Sequence, residues 1–178
     1  MLIDWLRKDP IISKYICNDC SENGVEVILD NKIDPSNLLI IKIDGFYNRE
    51  VNNPPRSPDC LIIQRCDDHF DIYVIELRNI SGPDGFSIKE IEEKFTTCLD
   101  DFMSHRFGNY FHHSDVEINV LKLYLISDPY DFKNHPNKQL YMRGHKFDLL
   151  SAIRIPRFFN KHLYIEPHIP NPMILLCA

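Results

Sequence analysis

Two apolar runs separated by a short polar break constrain this chain more than any other feature. Cys60-Leu61-Ile62-Ile63-Gln64-Arg65-Cys66 is followed by Asp67-Asp68-His69, then by Phe70-Asp71-Ile72-Tyr73-Val74-Ile75-Glu76-Leu77-Arg78. Both runs are rich in β-branched residues, and a polar turn between them predicts a β-hairpin. Strand side chains alternate between faces, so Glu76 and Arg78 share a face with Ile72 and Val74. Antiparallel pairing brings Asp59, at the start of the first strand, beside Glu76, near the end of the second. Two carboxylates that close repel one another unless a cation lies between them. Oxygen ligands of this kind suit Mg²⁺, with Mn²⁺ as a substitute.

The chain has 178 residues, enough for a single domain, 1–178, with a sizeable core. Apolar residues make up 44% and charged residues 26%, an ordinary globular composition. No apolar run approaches the roughly 20 residues that span a membrane, so no membrane partner is expected. The N-terminal stretch Met1-Leu2-Ile3-Asp4-Trp5-Leu6-Arg7-Lys8-Asp9 lacks the plan of a signal peptide, which predicts a cytoplasmic protein with reduced thiols. Cys60, Cys66 and Cys98 read as small core residues. Cys17-Asn18-Asp19-Cys20 is a lone CxxC without the two further ligands of a closed zinc site, although His112-His113 would supply them if the fold brought them near.

The net charge of −6 argues against a protein that coats nucleic acid through bulk charge. Its distribution is uneven. From Asp131 to His162 seven basic residues stand against two acids, giving that segment +5 and the remainder −11. A basic face on an acidic body suits a nuclease, in which metal-binding acids lie near phosphate-binding cations. Arg143, Lys146, Arg154 and Arg157 in that segment, with Arg49, are the candidate nucleic-acid contacts. A solvated surface with scattered lysines is the alternative.

Pro58-Asp59, a hairpin and then Glu76-Leu77-Arg78 resemble the core of the PD-(D/E)XK, or restriction-endonuclease-like, nuclease superfamily, with Arg78 where the motif has lysine. The resemblance covers roughly Ser57 to Phe107. It implies an α/β fold with a central mixed β-sheet flanked by helices. It also implies a Mg²⁺-dependent endonuclease of restriction or defence type, hydrolysing phosphodiester bonds in DNA in preference to RNA. Asp59, Glu76 and the Leu77 carbonyl would hold the metal, and Asp59, Glu76 and Arg78 would form the catalytic set. Arginine stays protonated and cannot act as a base. Three alternatives follow: the chemistry needs no lysine, Lys94 supplies the ammonium, or the site is inactive. Glu50 is the first candidate for a third acid. The competing reading is a non-catalytic nucleic-acid- or protein-binding module on the same fold. Cutting both strands calls for two sites, which points to a homodimer or a larger defence complex.

The remaining elements follow from periodicity. Residues 2–16 carry a helical stripe interrupted by Pro10, and residues 25–29 and 38–44 read as strands. Residues 45–57, with Pro54-Pro55 and several asparagines, are expected to be a loop facing substrate. Ser87 with Glu90 forms a capping box that opens a helix from Ile88 to about Arg106, and Lys94 is expected to pair with Glu90 on its surface. Residues 108–115 read as a loop, 117–126 as a central strand, 147–153 as a short helix, and 162–165 and 173–176 as late strands.

Overall fold

The computed structural model describes residues 1–79, 87–128, 154–158 and 161–177. The N-terminal part runs α1 (Leu2–Lys8), β1 (Ile16–Cys17), β2 (Ser21–Glu22), β3 (Val25–Glu26), β4 (Ile28–Leu29), β5 (Leu38–Lys42) and α2 (Ile43–Glu50). There follow β6 (Cys60–Cys66), β7 (His69–Arg78), α3 (Ile88–Thr96), a wider π-helical continuation (Thr97–Arg106), α4 (Gly108–Phe111) and β8 (Ile118–Ser127). The chain ends in β9 (Arg154–Phe158), β10 (Lys161–His168) and β11 (Met173–Ile174). The helix expected at 147–153 lies outside the described residues, as do Arg143 and Lys146.

Seven strands form one mixed sheet in the order β1-β5-β6-β7-β8-β10-β9. The β6–β7 hairpin sits at its centre, antiparallel, with Cys60 opposite Ile75 and Cys66 opposite His69. β8 runs parallel to β7, placing Leu125 beside Glu76 and Ser127 beside Arg78. Parallel neighbours need a crossover, and α3 with its π continuation supplies it. The architecture is therefore mixed α/β, as the sequence predicts.

Alternation along the strands sorts the core into two layers. Leu61, Ile63, Ile72 and Val74 face the helices, where Ile91, Phe95, Phe102, Phe46 and Leu6 complete the larger cluster. Ile62, Ile75, Leu77 and Ile126 face the other way, under Val25, Val27, Ile33 and Ile174. That second layer is roofed by two small sheets, β2 with β3 and β4 with β11. Glu76 belongs by parity to the helix side.

Several local features depart from expectation. Residues 43–50 form a helix rather than the end of a strand (43–44) and the start of a loop (45–50), because Ile43, Phe46 and Tyr47 lie at helical spacing and are all buried. Only the stretch after Val51, with its two prolines, is irregular. Residues 97–106 widen from α to π, with Phe107 N–H donating to the Phe102 carbonyl at 3.0 Å. Cys60 and Cys66 are not core thiols. Cys20 is joined to Cys60 and Cys66 to Cys177 in disulfides that tie the covering layer to β6. Cys98 remains a buried thiol, and Cys17 is free and partly exposed. The CxxC therefore supplies no ligand pair. His112 and His113 pack instead on Phe158 and Trp5. Among the described residues no helix is long and apolar enough to cross a membrane.

Candidate active site

The hairpin places Asp59 and Glu76 together as its register requires. Asp59 N–H donates to the Ile75 carbonyl at 3.0 Å, which extends the ladder one residue beyond β6. Leu77 N–H donates to Asp59 Oδ2 at 2.6 Å, so β7 itself fixes the Asp59 carboxylate. Asp59 is 6% exposed and Glu76 is fully buried. They line a cleft of about 270 Å³ with Glu22, Asn23, Leu77, Arg78, Asn79 and Lys94. The cleft opens at the carboxyl ends of the parallel strands β7 and β8, where open α/β sheets place their ligands. Ser127 Oγ–H donates to the Arg78 carbonyl at 2.7 Å and holds the end of β7 in place.

Two cations converge on Glu76. Arg78 Nε and Lys94 Nζ each donate to Glu76 Oε1 at 2.7 Å. Arg78 is on the same strand two residues on, and Lys94 reaches across from the second turn of α3. Lys94 thus faces the acid pair and not Glu90, whose carboxylate lies 2.8 Å from Arg56 Nη1. The other oxygen, Glu76 Oε2, is buried without a hydrogen-bond partner. Burial pushes the Glu76 carboxyl above the usual range, while Lys94 and Arg78 pull it back down. The Asp59 carboxyl rises to about 8, first through burial, then through the Glu76 charge, with a hydrogen bond to Glu22 adding to it. The Leu77 N–H works against that rise.

Glu22 is the acid that sequence reasoning missed. It ends β2, and β2 turns into β3 through Asn23 and Gly24, both at positive φ of 49° and 79°. Asn-Gly at these angles is the favoured two-residue hairpin turn, and it was the available signal in the sequence. The disulfide from Cys20 to Cys60 and the Asn79 Nδ2 bond to the Asn23 carbonyl at 2.7 Å pin this hairpin over the cleft. Glu50, the sequence candidate for a third acid, points elsewhere. It accepts from Tyr15 Oη–H at 2.6 Å and lies 3.5 Å from Lys14 Nζ. Glu22 also lines an adjoining cleft with Lys42, Asp44 and Arg49, which brings Arg49 next to the site. Arg154 and Arg157 lie on β9, at the far edge of the sheet.

The chemistry of the donor set fits a hard divalent cation. It offers the Leu77 backbone and three carboxylates, one of which has a buried oxygen with no hydrogen-bond partner. An acid pair kept partly protonated by burial and by its own repulsion gains most when a cation replaces the proton. Comparison with family models, with curated proteins and with solved structures found no match.

Proposed function

We propose that the chain is a metal-dependent nuclease that hydrolyses phosphodiester bonds at the Asp59–Glu76 cleft, most simply a DNA endonuclease of the restriction or defence kind. The observation that carries this reading is the buried carboxylate pair at the carboxyl end of β7, with Lys94 and Arg78 both bonded to Glu76. Asp59, Glu76 and the Leu77 carbonyl would hold Mg²⁺ or Mn²⁺, with Glu22 as a further acid beside Asp59. Bound there, the ion supplies acidification of water and neutralisation of phosphate charge. The chain's own groups do the positioning. Leu77 N–H orients Asp59, and the Arg78 guanidinium holds a phosphate oxygen. Lys94 presents its ammonium to the attacking water and the phosphate, which is the place of the motif lysine that β7 lacks. Lys42 and Arg49 in the adjoining cleft offer cations for the neighbouring backbone phosphates. Water gives up a proton to solvent as it attacks phosphorus, the bond to the leaving sugar oxygen breaks, and that oxygen takes up a proton from solvent.

A non-catalytic module remains the second reading, and one observation favours it. Arg78 and Lys94 already compensate Glu76, so the pair is held without a metal. Cleavage of duplex DNA and of structured RNA in Mg²⁺ and Mn²⁺ separates the two. The nuclease reading expects cutting that Asp59→Ala and Glu76→Ala both abolish while the circular dichroism spectrum stays native. Cutting retained by both variants removes the assignment. Absence of cutting with salt-dependent binding supports the module. A homodimer is the proposed assembly for double-strand cutting. The cytoplasm is the proposed compartment, and the two disulfides weigh against it.

A further inference from the structure

The closed end of the β6–β7 hairpin carries a second group of ligating side chains. Cys66 ends β6 and His69 begins β7 directly opposite it. Asp71 follows His69 by two residues and so faces the same side of the sheet. One ligand atom from each of Cys66, His69 and Asp71 lies within 4.8 Å of the other two. Cys177, bonded to Cys66, brings a second sulfur to the same point. Its backbone is anchored independently of that bond. With its amide turned so that oxygen and nitrogen exchange places, Gln64 donates to the Leu175 carbonyl at 3.2 Å and accepts from Cys177 N–H at 2.9 Å.

His69 is oriented as metal-binding histidines are. Its Nδ1 lies 3.0 Å from Asp68 Oδ1, and its Nε2 lies 3.6 Å from Asp71 Oδ1. A carboxylate on one ring nitrogen keeps the proton there and turns the lone pair of the other toward the ligand cluster. Tetrahedral zinc, with bonds of about 2.0 Å to nitrogen or oxygen and about 2.3 Å to sulfur, sets its ligand atoms roughly 3.3–3.8 Å apart. The His69–Asp71 spacing of 3.6 Å is a few tenths of an ångström wider than the nitrogen–oxygen end of that range, a gap that a small side-chain movement closes.

We propose that, when the Cys66–Cys177 bond is reduced, Cys66, Cys177, His69 and Asp71 bind one Zn²⁺ as a closed structural site, so that a disulfide and a metal alternate at the same place. An external dithiol delivers two electrons and two protons to the disulfide and leaves as its own disulfide. Zn²⁺ then displaces the two thiol protons, and both sulfurs ligate as thiolates. Oxidation returns the two electrons to a disulfide oxidant and releases the ion. Two thiolates, an imidazole and one carboxylate favour zinc over Mg²⁺. The site lies at the opposite end of the hairpin from Asp59, about 20 Å away by strand rise, and it is independent of any nuclease activity.

The test uses the whole chain, freed of metal, in two samples: oxidised, and reduced with a phosphine that does not ligate zinc. Each is titrated with Zn²⁺ against a chromophoric chelator, and with Co²⁺ for the visible bands of tetrahedral thiolate ligation. The reduced chain is expected to bind one Zn²⁺ at least a hundredfold more tightly than the oxidised chain. His69→Ala and Asp71→Asn, both checked for native circular dichroism in the oxidised form, should each weaken it at least tenfold. Cys17→Ser/Cys20→Ser should not. If reduction unfolds the chain, restoration of the native spectrum by Zn²⁺ supports the site, and failure to restore it overturns the proposal. Equal affinity of both redox forms, or binding unchanged in His69→Ala, also overturns it.

Discussion

Replacing Asp59 by Asn removes a carboxyl whose burial is unfavourable. Burial and the Glu76 charge raise its folded pKa from 3.8 to about 8. The folded chain therefore keeps a proton that the unfolded chain releases above about pH 4. The stability this proton contributes is fully present below pH 4 and is lost as the pH rises toward 8. One retained proton corresponds to about 1.4 kcal/mol for each pH unit, so from pH 5 to pH 7 the wild type should lose about 2–3 kcal/mol through this group alone. That is a large part of the roughly 5–15 kcal/mol of a typical domain. Asn keeps the geometry, since its amide oxygen accepts from Leu77 N–H as Asp59 does at 2.6 Å, but it does not titrate. Urea unfolding at pH 5, 6 and 7, in chelator and with disulfides intact, measures the difference. The stability of Asp59→Asn minus that of wild type should grow by about 2–3 kcal/mol across the series. Parallel profiles for the two proteins would refute the assignment of a strained carboxylate at position 59.

Lys94→Met removes one of the two cations on buried Glu76 and should cost about 1.5–3 kcal/mol in urea unfolding at pH 7; a loss under about 0.5 would mean that Arg78 alone satisfies the acid. Glu22→Gln should lower metal-dependent cleavage about 10–100-fold with the melting temperature nearly unchanged, and unaltered kinetics would place Glu22 outside the reacting centre. Cys20→Ser/Cys60→Ser opens a loop spanning 40 residues, for which chain entropy predicts a loss of about 4 kcal/mol. Calorimetry checks that figure, and activity should fall too because Glu22 loses its tether. Arg78→Lys should preserve or raise cleavage if position 78 only neutralises phosphate; a large loss would show that the planar guanidinium fork is needed.

The hairpin was legible because its signal is local: apolar alternation, a polar turn and a register that leaves no choice about which residues face each other. Asp59 beside Glu76 follows from that alone. α3 was equally plain from Ser87 and its apolar stripe, although its widening into a π segment was not, since that depends on packing around Phe102 and Phe107. Glu22 was hidden for a different reason. The β2–β3 hairpin is only two residues long on each side. Its place over the cleft is set by a disulfide and a bond from Asn79, both long-range. The partner of Lys94 was misread because i,i+4 spacing to Glu90 competes with a contact that only the sheet-to-helix packing reveals. The disulfides were missed because composition speaks to compartment and not to which sulfurs meet. Residues 45–50 read as a loop because the prolines downstream outweighed a short helical stripe.

Mn²⁺ binding at the cleft is the decisive measurement for a metal site at Asp59 and Glu76. Calorimetric titration of the oxidised chain at pH 7, in two buffers of different ionisation enthalpy, reports both the ion bound and the protons released. A site that needs both acids is expected, with release of about one proton as the ion displaces the one held by Asp59, and loss of binding in Glu76→Gln. Binding without proton release, or binding undiminished in Glu76→Gln, would contradict it.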